Sequence, residues 1–159
     1  MKKLIFLAVL LLPYLSYGNA LKTYTVAGDS MSPVLASGDN VVVNTEIDEP
    51  AERGDLVAIK FKNTATPMVK RVVAVEGDRV EIKNNTIIIN EKSFRHIDEK
   101  RWQSTVNQLK RYSWIVPSNN FFVLGDNPQN SRDSRRLGLI STSQLIGKVV
   151  KIITSVPQE

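Results

Sequence analysis

Two side chains able to carry proton-transfer chemistry stand in unusual settings. Ser30 lies in Gly28-Asp29-Ser30-Met31-Ser32-Pro33, directly after a β-rich run. Gly28 permits a tight turn and close backbone approach, which leaves Ser30 at a rim with its hydroxyl and its own amide presented, as a nucleophile requires. From these residues alone, a polar turn closed by proline is the more economical reading. Lys70 lies in Pro67-Met68-Val69-Lys70-Arg71-Val72-Val73-Ala74-Val75. Alternation puts Met68, Lys70 and Val72 on one face and Val69, Arg71 and Val73 on the other, so apolar surroundings on both faces would strand a charge. Lowering a lysine pKa from about 10.4 towards 8 costs on the order of 3 kcal/mol of folding stability, a cost with no purpose in a purely structural strand. Such a lysine can act as a base; an edge-strand lysine facing solvent as a guard against aggregation is the alternative. A third cluster, Gly125-Asp126-Asn127-Pro128-Gln129-Asn130-Ser131-Arg132-Asp133-Ser134-Arg135-Arg136-Leu137-Gly138, packs acids, hydroxyls and guanidinium groups into one turn-rich stretch. Asp-to-Arg pairs there can support a nearby site, and a solvated hairpin connection weighs evenly against that.

Composition narrows the chemistry. In 159 residues there is one histidine, His96, and no cysteine, so a zinc site of the usual kind, a thiol nucleophile and a haem thiolate are excluded. No cofactor is implied. The net charge is +5, and +3 without Lys2 and Lys3, too weak and scattered to argue for a nucleic-acid partner. His96 sits in a charged stretch far in sequence from any nucleophile, which leaves a Ser-His-Asp triad little support.

The elements that must position these residues are mostly strands. Residues 1–20 read as an export signal or membrane anchor: Lys2-Lys3, an unbroken apolar run from Leu4 to Leu12, then Gly18-Asn19-Ala20 with small residues where a signal peptidase reads. The apolar length is short of the roughly 20 residues that cross a bilayer, though interfacial tyrosines and a thin membrane would cover the difference. Basic residues before it place residues 21–159 on the far side. From there, β-branched runs between Gly-Asp, Asn-Asn and Pro signals predict strands over 22–26, 40–44, 55–61, 68–75, 79–83, 86–90, 112–116, 120–124 and 146–153. The fold class expected is mainly β, a curled antiparallel sheet or barrel-like domain after an N-terminal hydrophobic helix. One helical turn is expected near 141–145. Residues 91–111, charged and holding His96 and Trp102, read as a small inserted excursion.

Taken together, the clusters resemble type I signal peptidases, serine proteases with a serine and lysine dyad. The matching stretches are Gly28-Asp29-Ser30-Met31-Ser32-Pro33 with Gly38-Asp39, then Arg53-Gly54-Asp55-Leu56-Val57, then Val69-Lys70-Arg71-Val72-Val73-Ala74-Val75-Glu76-Gly77-Asp78, then Gly125-Asp126-Asn127 through Asp133-Ser134-Arg135. They cover nearly the whole chain, in the family's order and spacing. The resemblance implies Ser30 as nucleophile, Lys70 as general base and the Ser30 amide as an oxyanion donor. It further implies Ser131 as a hydroxyl that orients the lysine, with Asp126, Asp133 and Arg135 holding the loop. Many members carry a hydroxyl residue two positions before the nucleophile; here that position is Gly28, so no second side-chain donor is implied there.

The same resemblance implies a catalytic domain on the outer, periplasmic face of the cytoplasmic membrane, or free in the periplasm if the leader is removed. Its substrates would be exported precursors cut after Ala-x-Ala. The short length also suits a dedicated conjugative-transfer peptidase that matures a pilin precursor. A non-catalytic exported β module that binds peptides is the reading from another class. Strand physics suggests that an extended substrate pairs with backbone beside Ser30 and Lys70, its small side chains in shallow pockets for which Met31 and Val69 are the candidate walls. Trp102, Trp114, Phe121 and Phe122 would either lie on membrane lipid or fill the core.

Overall fold

A computed structural model describes residues 20–61, 66–83, 86–93 and 112–155. The leader up to residue 19, His96 and Trp102 lie outside them. Among the described residues eleven strands run in chain order: β1 Leu21–Thr25, β2 Asn40–Asn44, β3 Leu56–Ile59, β4 Met68–Ala74, β5 Arg79–Lys83, β6 Thr86–Ile89, β7 Lys92–Ser93, β8 Tyr112–Ile115, β9 Asn120–Leu124, β10 Ile140–Ser141 and β11 Leu145–Ile153. Among the described residues one short helix, α1, spans Ser134–Leu137, and 3-10 turns span Pro128–Asn130 and Thr142–Gln144.

Seven strands form one sheet in the order β1-β2-β11-β3-β4-β9-β10, and four form a second in the order β7-β6-β5-β8. Every pairing is antiparallel. Register shifts between Val72 and Ala74, Leu145 and Gly147, and Val149 and Lys151 mark bulges, which increase local twist and curl the large sheet. The barrel-like alternative is corrected: β1 pairs only with β2, and β10, two residues long, pairs only with β9. A barrel needs its first and last strands joined, and this sheet leaves them apart.

Alternation is visible where one face is covered, as in β2, whose Val41 and Val43 are buried while Asn40, Val42 and Asn44 are half-buried. The interior strands β4 and β9 are buried more continuously because apolar clusters lie on both sides of them. One cluster, with Val80, Ile82, Ile87, Phe122 and Leu124, joins the two sheets. A second centres on Val57, Val72, Phe121 and Val123, and a third on Met31, Leu35, Val41, Val43 and Ala58. Phe121 and Phe122 are therefore core residues rather than a lipid-facing surface, and Trp114 packs on Phe122 with ring centroids 5.5 Å apart.

Candidate active site

Strand β4 is interior to the large sheet, flanked by β3 and β9. Lys70 is thereby carried into the protein, only 2% exposed, with Val57 as its cross-strand partner. Its Nζ lies 2.7 Å from Ser30 Oγ and 2.8 Å from the Val69 carbonyl oxygen. Burial pushes the ammonium down from 10.5 to about 8; the carboxylates of Asp133 and Asp126 pull the other way, and Arg135 adds to the lowering. The edge-strand alternative for this lysine is thus set aside, since a solvent guard needs an exposed strand.

Ser30 is delivered by the turn that follows β1. Gly28 has φ +80°, a conformation that L side chains rarely adopt, and its amide donates to Ser37 Oγ at 3.3 Å. This gives a backbone reason for glycine at this position. The Leu35 amide closes back on the Met31 carbonyl at 2.9 Å, and the Ser30 carbonyl accepts the Asn127 amide at 3.0 Å. The Ser30 amide itself has no hydrogen-bond partner among the described residues.

That last contact ties the serine turn to the 125–138 stretch, which is a braced loop and not a solvated connection. Asp133, fully buried, accepts the Gly125 amide at 3.0 Å and both Nε and Nη2 of Arg135 at 2.8 Å. It also caps α1 through the Arg135 amide, while Arg135 Nη2 donates to the Pro128 carbonyl at 3.0 Å. Asp126 receives a two-pronged pair from Arg71, at 2.9 and 2.7 Å. Gly125 is tightly enclosed: a Cβ there would overlap Ser131 Oγ and sit 2.5 Å from the Ser30 carbonyl oxygen. Ser131 is buried beside the serine turn, but among the described residues its hydroxyl makes no hydrogen bond to Lys70 or to any other group, and Asn127 Oδ1 is likewise buried without a partner there.

Sequence reasoning did not single out Arg71, Arg53, Asp78 or Ser134. Arg71 also donates to the Gly54 carbonyl at 2.8 Å, Arg53 pairs with the buried Asp78, and Ser134 Oγ accepts the Val123 amide at 2.9 Å. The signal available for Arg71 was its place beside Lys70 on the opposite face of one strand.

Ser30 and Lys70 open onto a groove of about 500 Å³. One wall is the edge-strand segment Thr23–Val26, the other Pro67–Val69, with Met31 and Val41 in the floor. Met31 is fully buried and shared with the third core cluster, and Val69 packs against that cluster. A hydroxyl held against a buried, readily neutralised amine in the lining of an apolar groove can be deprotonated and can attack a carbonyl carbon placed there.

The whole of residues 1–154 matches the family described as signal peptidase, peptidase S26. The chain belongs to this family, and is a signal peptidase I-type serine endopeptidase that removes signal peptides from exported precursors. Among its relatives are signal peptidase I P of Bacillus subtilis subsp. natto, 33% identical over 89% of this chain and 81% of that one. Signal peptidase IB of Staphylococcus aureus strain COL is 36% identical over 79% of this chain and 74% of that one. A crystal structure of a signal peptidase I from Enterococcus faecalis V583 shares the fold, with a TM-score of 0.51 and 23% identity over 64% of this chain and 98% of that one.

Proposed function

We propose that the chain cuts exported precursors by acyl transfer through a Ser30 nucleophile, with Lys70 as the general base. The observation that carries this reading is the 2.7 Å contact between Ser30 Oγ and a Lys70 Nζ that burial has brought to about 8. Neutral Lys70 takes the hydroxyl proton as Ser30 attacks the scissile carbonyl, returns it to the leaving amine, and then activates water on the acyl-enzyme. The unpaired Ser30 amide is the oxyanion donor. Asp126, Asp133 and Arg135, with Arg71, hold the loop that abuts the serine turn. Ser131 acts by filling the space beside Gly125 and the Ser30 carbonyl, which keeps the turn facing the lysine.

Substrate enters extended between Thr23–Val26 and Pro67–Val69 and pairs with exposed backbone. The apolar walls around Met31 and Val69 admit alanine-sized groups and reject larger ones, so cleavage follows Ala-x-Ala. Residues 1–20 act as the membrane signal or anchor and 21–159 as the catalytic domain, working at the lipid surface on the periplasmic side. Among the described residues no helix is long and apolar enough to cross a membrane. The test is cleavage by the detergent-solubilised full chain of precursors with Ala-x-Ala or Leu-x-Leu at the junction, a pilin precursor among them, with product N-termini sequenced. Cleavage after the second alanine alone is expected; equal cleavage of the bulky junction refutes the pocket assignment.

A further inference from the structure

Among the described residues that line the groove, one charge is not used by the chemistry above. Arg132 is exposed and lines the groove beside Ser30, Lys70 and Asn130. It follows Ser131 directly, and Ser131 lies against the Ser30 carbonyl across Gly125, so the backbone that carries Arg132 runs beside the serine turn. Among the described residues that line the groove the charged side chains are Lys70 and Arg132, with no acid to balance them. Of the carboxylates near the dyad, Asp126 is paired with Arg71 and Asp133 with Arg135, while the exposed Asp29 beside Ser30 is not among the groove's lining residues. Arg132 itself makes no hydrogen bond or ion pair among the described residues.

A guanidinium stays charged at every working pH and presents a planar fork of donors that matches a carboxylate. Apolar lining such as Val26 and Met68 in the walls and Val41 in the floor focuses its field into the groove instead of letting water screen it fully. We infer that Arg132 reads a carboxylate side chain on the substrate, so that the enzyme favours exported precursors with Asp or Glu at the middle position of the Ala-x-Ala junction or within about two residues after the scissile bond, the span an extended chain keeps within reach of one arginine. This inference rests on the proposed peptidase reading. The pairing is made at a rim, so its effect is moderate: about threefold in favour of an acid over a neutral residue and about tenfold over a lysine.

The test uses the full chain in detergent and peptides spanning an Ala-x-Ala junction, with Asp, Asn or Lys placed in turn at the middle position of the junction and at each of the two positions after the cleaved bond. The readout is the ratio of kcat/KM values within each enzyme, which cancels differences in active fraction. Wild type is expected to rank Asp above Asn above Lys at one or more positions, Arg132→Lys to keep that order, and Arg132→Glu to reverse it. Raising salt from about 0.05 to about 0.5 M should compress the wild-type ratio. Equal rates for all three at every position, or an unchanged order in Arg132→Glu, overturns the inference while leaving the peptidase reading intact. Failure of wild type to cut any peptide overturns the peptidase reading, and this inference with it.

Discussion

Replacing Lys70 with Met should abolish activity yet stabilise the protein near neutral pH and destabilise it in alkali. Near pH 7 wild type holds a charge that burial disfavours, with the ammonium moved from 10.5 to about 8. A shift of that size corresponds to roughly 3 kcal/mol. Against it stand the two hydrogen bonds of Nζ, to Ser30 Oγ and the Val69 carbonyl. Each contributes about 1 kcal/mol, so Lys70→Met should be more stable by about 1 kcal/mol near pH 7. The folded-state pKa lies below the unfolded one, so between about 8 and 10.5 the unfolded chain binds more protons. Wild-type stability therefore rises with pH in that window, by about 1.4 kcal/mol per unit at most, while the methionine variant lacks this increment. The two curves should cross near pH 9, and wild type should lead by about 1 to 2 kcal/mol above about pH 10. Urea unfolding of both full chains in detergent, followed by tryptophan fluorescence from about pH 7 to about pH 10, reads the difference. A stability difference that stays constant across that range would refute the claim that burial neutralises Lys70.

Other changes probe the braces around the dyad. Gly125→Ala should lower kcat by about a hundredfold, because its methyl displaces Ser131 and the Ser30 carbonyl; steady-state kinetics beside a circular-dichroism spectrum separates this from unfolding. Asp126→Ala leaves Arg71 without its carboxylate partner and should cost about 3 kcal/mol or more, whereas Arg71 and Asp126 replaced together should cost less than the sum, a double-mutant cycle in urea. Ser131→Ala removes a buried hydroxyl that has no partner, so thermal stability should hold or rise by about 1 kcal/mol while kcat falls, as melting and kinetics together would record.

The strands were legible wherever alternation or apolar runs dominated, as at 40–44, 79–83 and 120–124, which occur as β2, β5 and β9. Elements made by tertiary contacts were not. Helix α1 reads as loop because Ser-Arg-Arg-Leu has no apolar period, and it exists because Asp133 caps it and Arg135 folds back on that same carboxylate. β10 is two residues long and borrows its order from β9. Whether the sheet closes depends on bulges and register, which a strand pattern does not encode. Lys70 illustrates both sides. Alternation on an apolar strand implied desolvation, and the lysine is buried, but its meeting with Ser30, forty residues earlier in the chain, was carried by the family resemblance and not by spacing. The roles of Arg71 and Arg53 escaped because each pairs with an acid far away in sequence.

The dyad is tested most directly by trapping the acyl-enzyme. Full-chain enzyme turning over an Ala-x-Ala precursor is quenched in acid, digested and analysed by mass spectrometry, beside Ser30→Ala and Lys70→Met. The expected result is an adduct with the mass of the signal-peptide fragment on the peptide that carries Ser30, present in wild type and absent from both variants. An adduct on another residue, or undiminished cleavage by Ser30→Ala, would contradict the assignment.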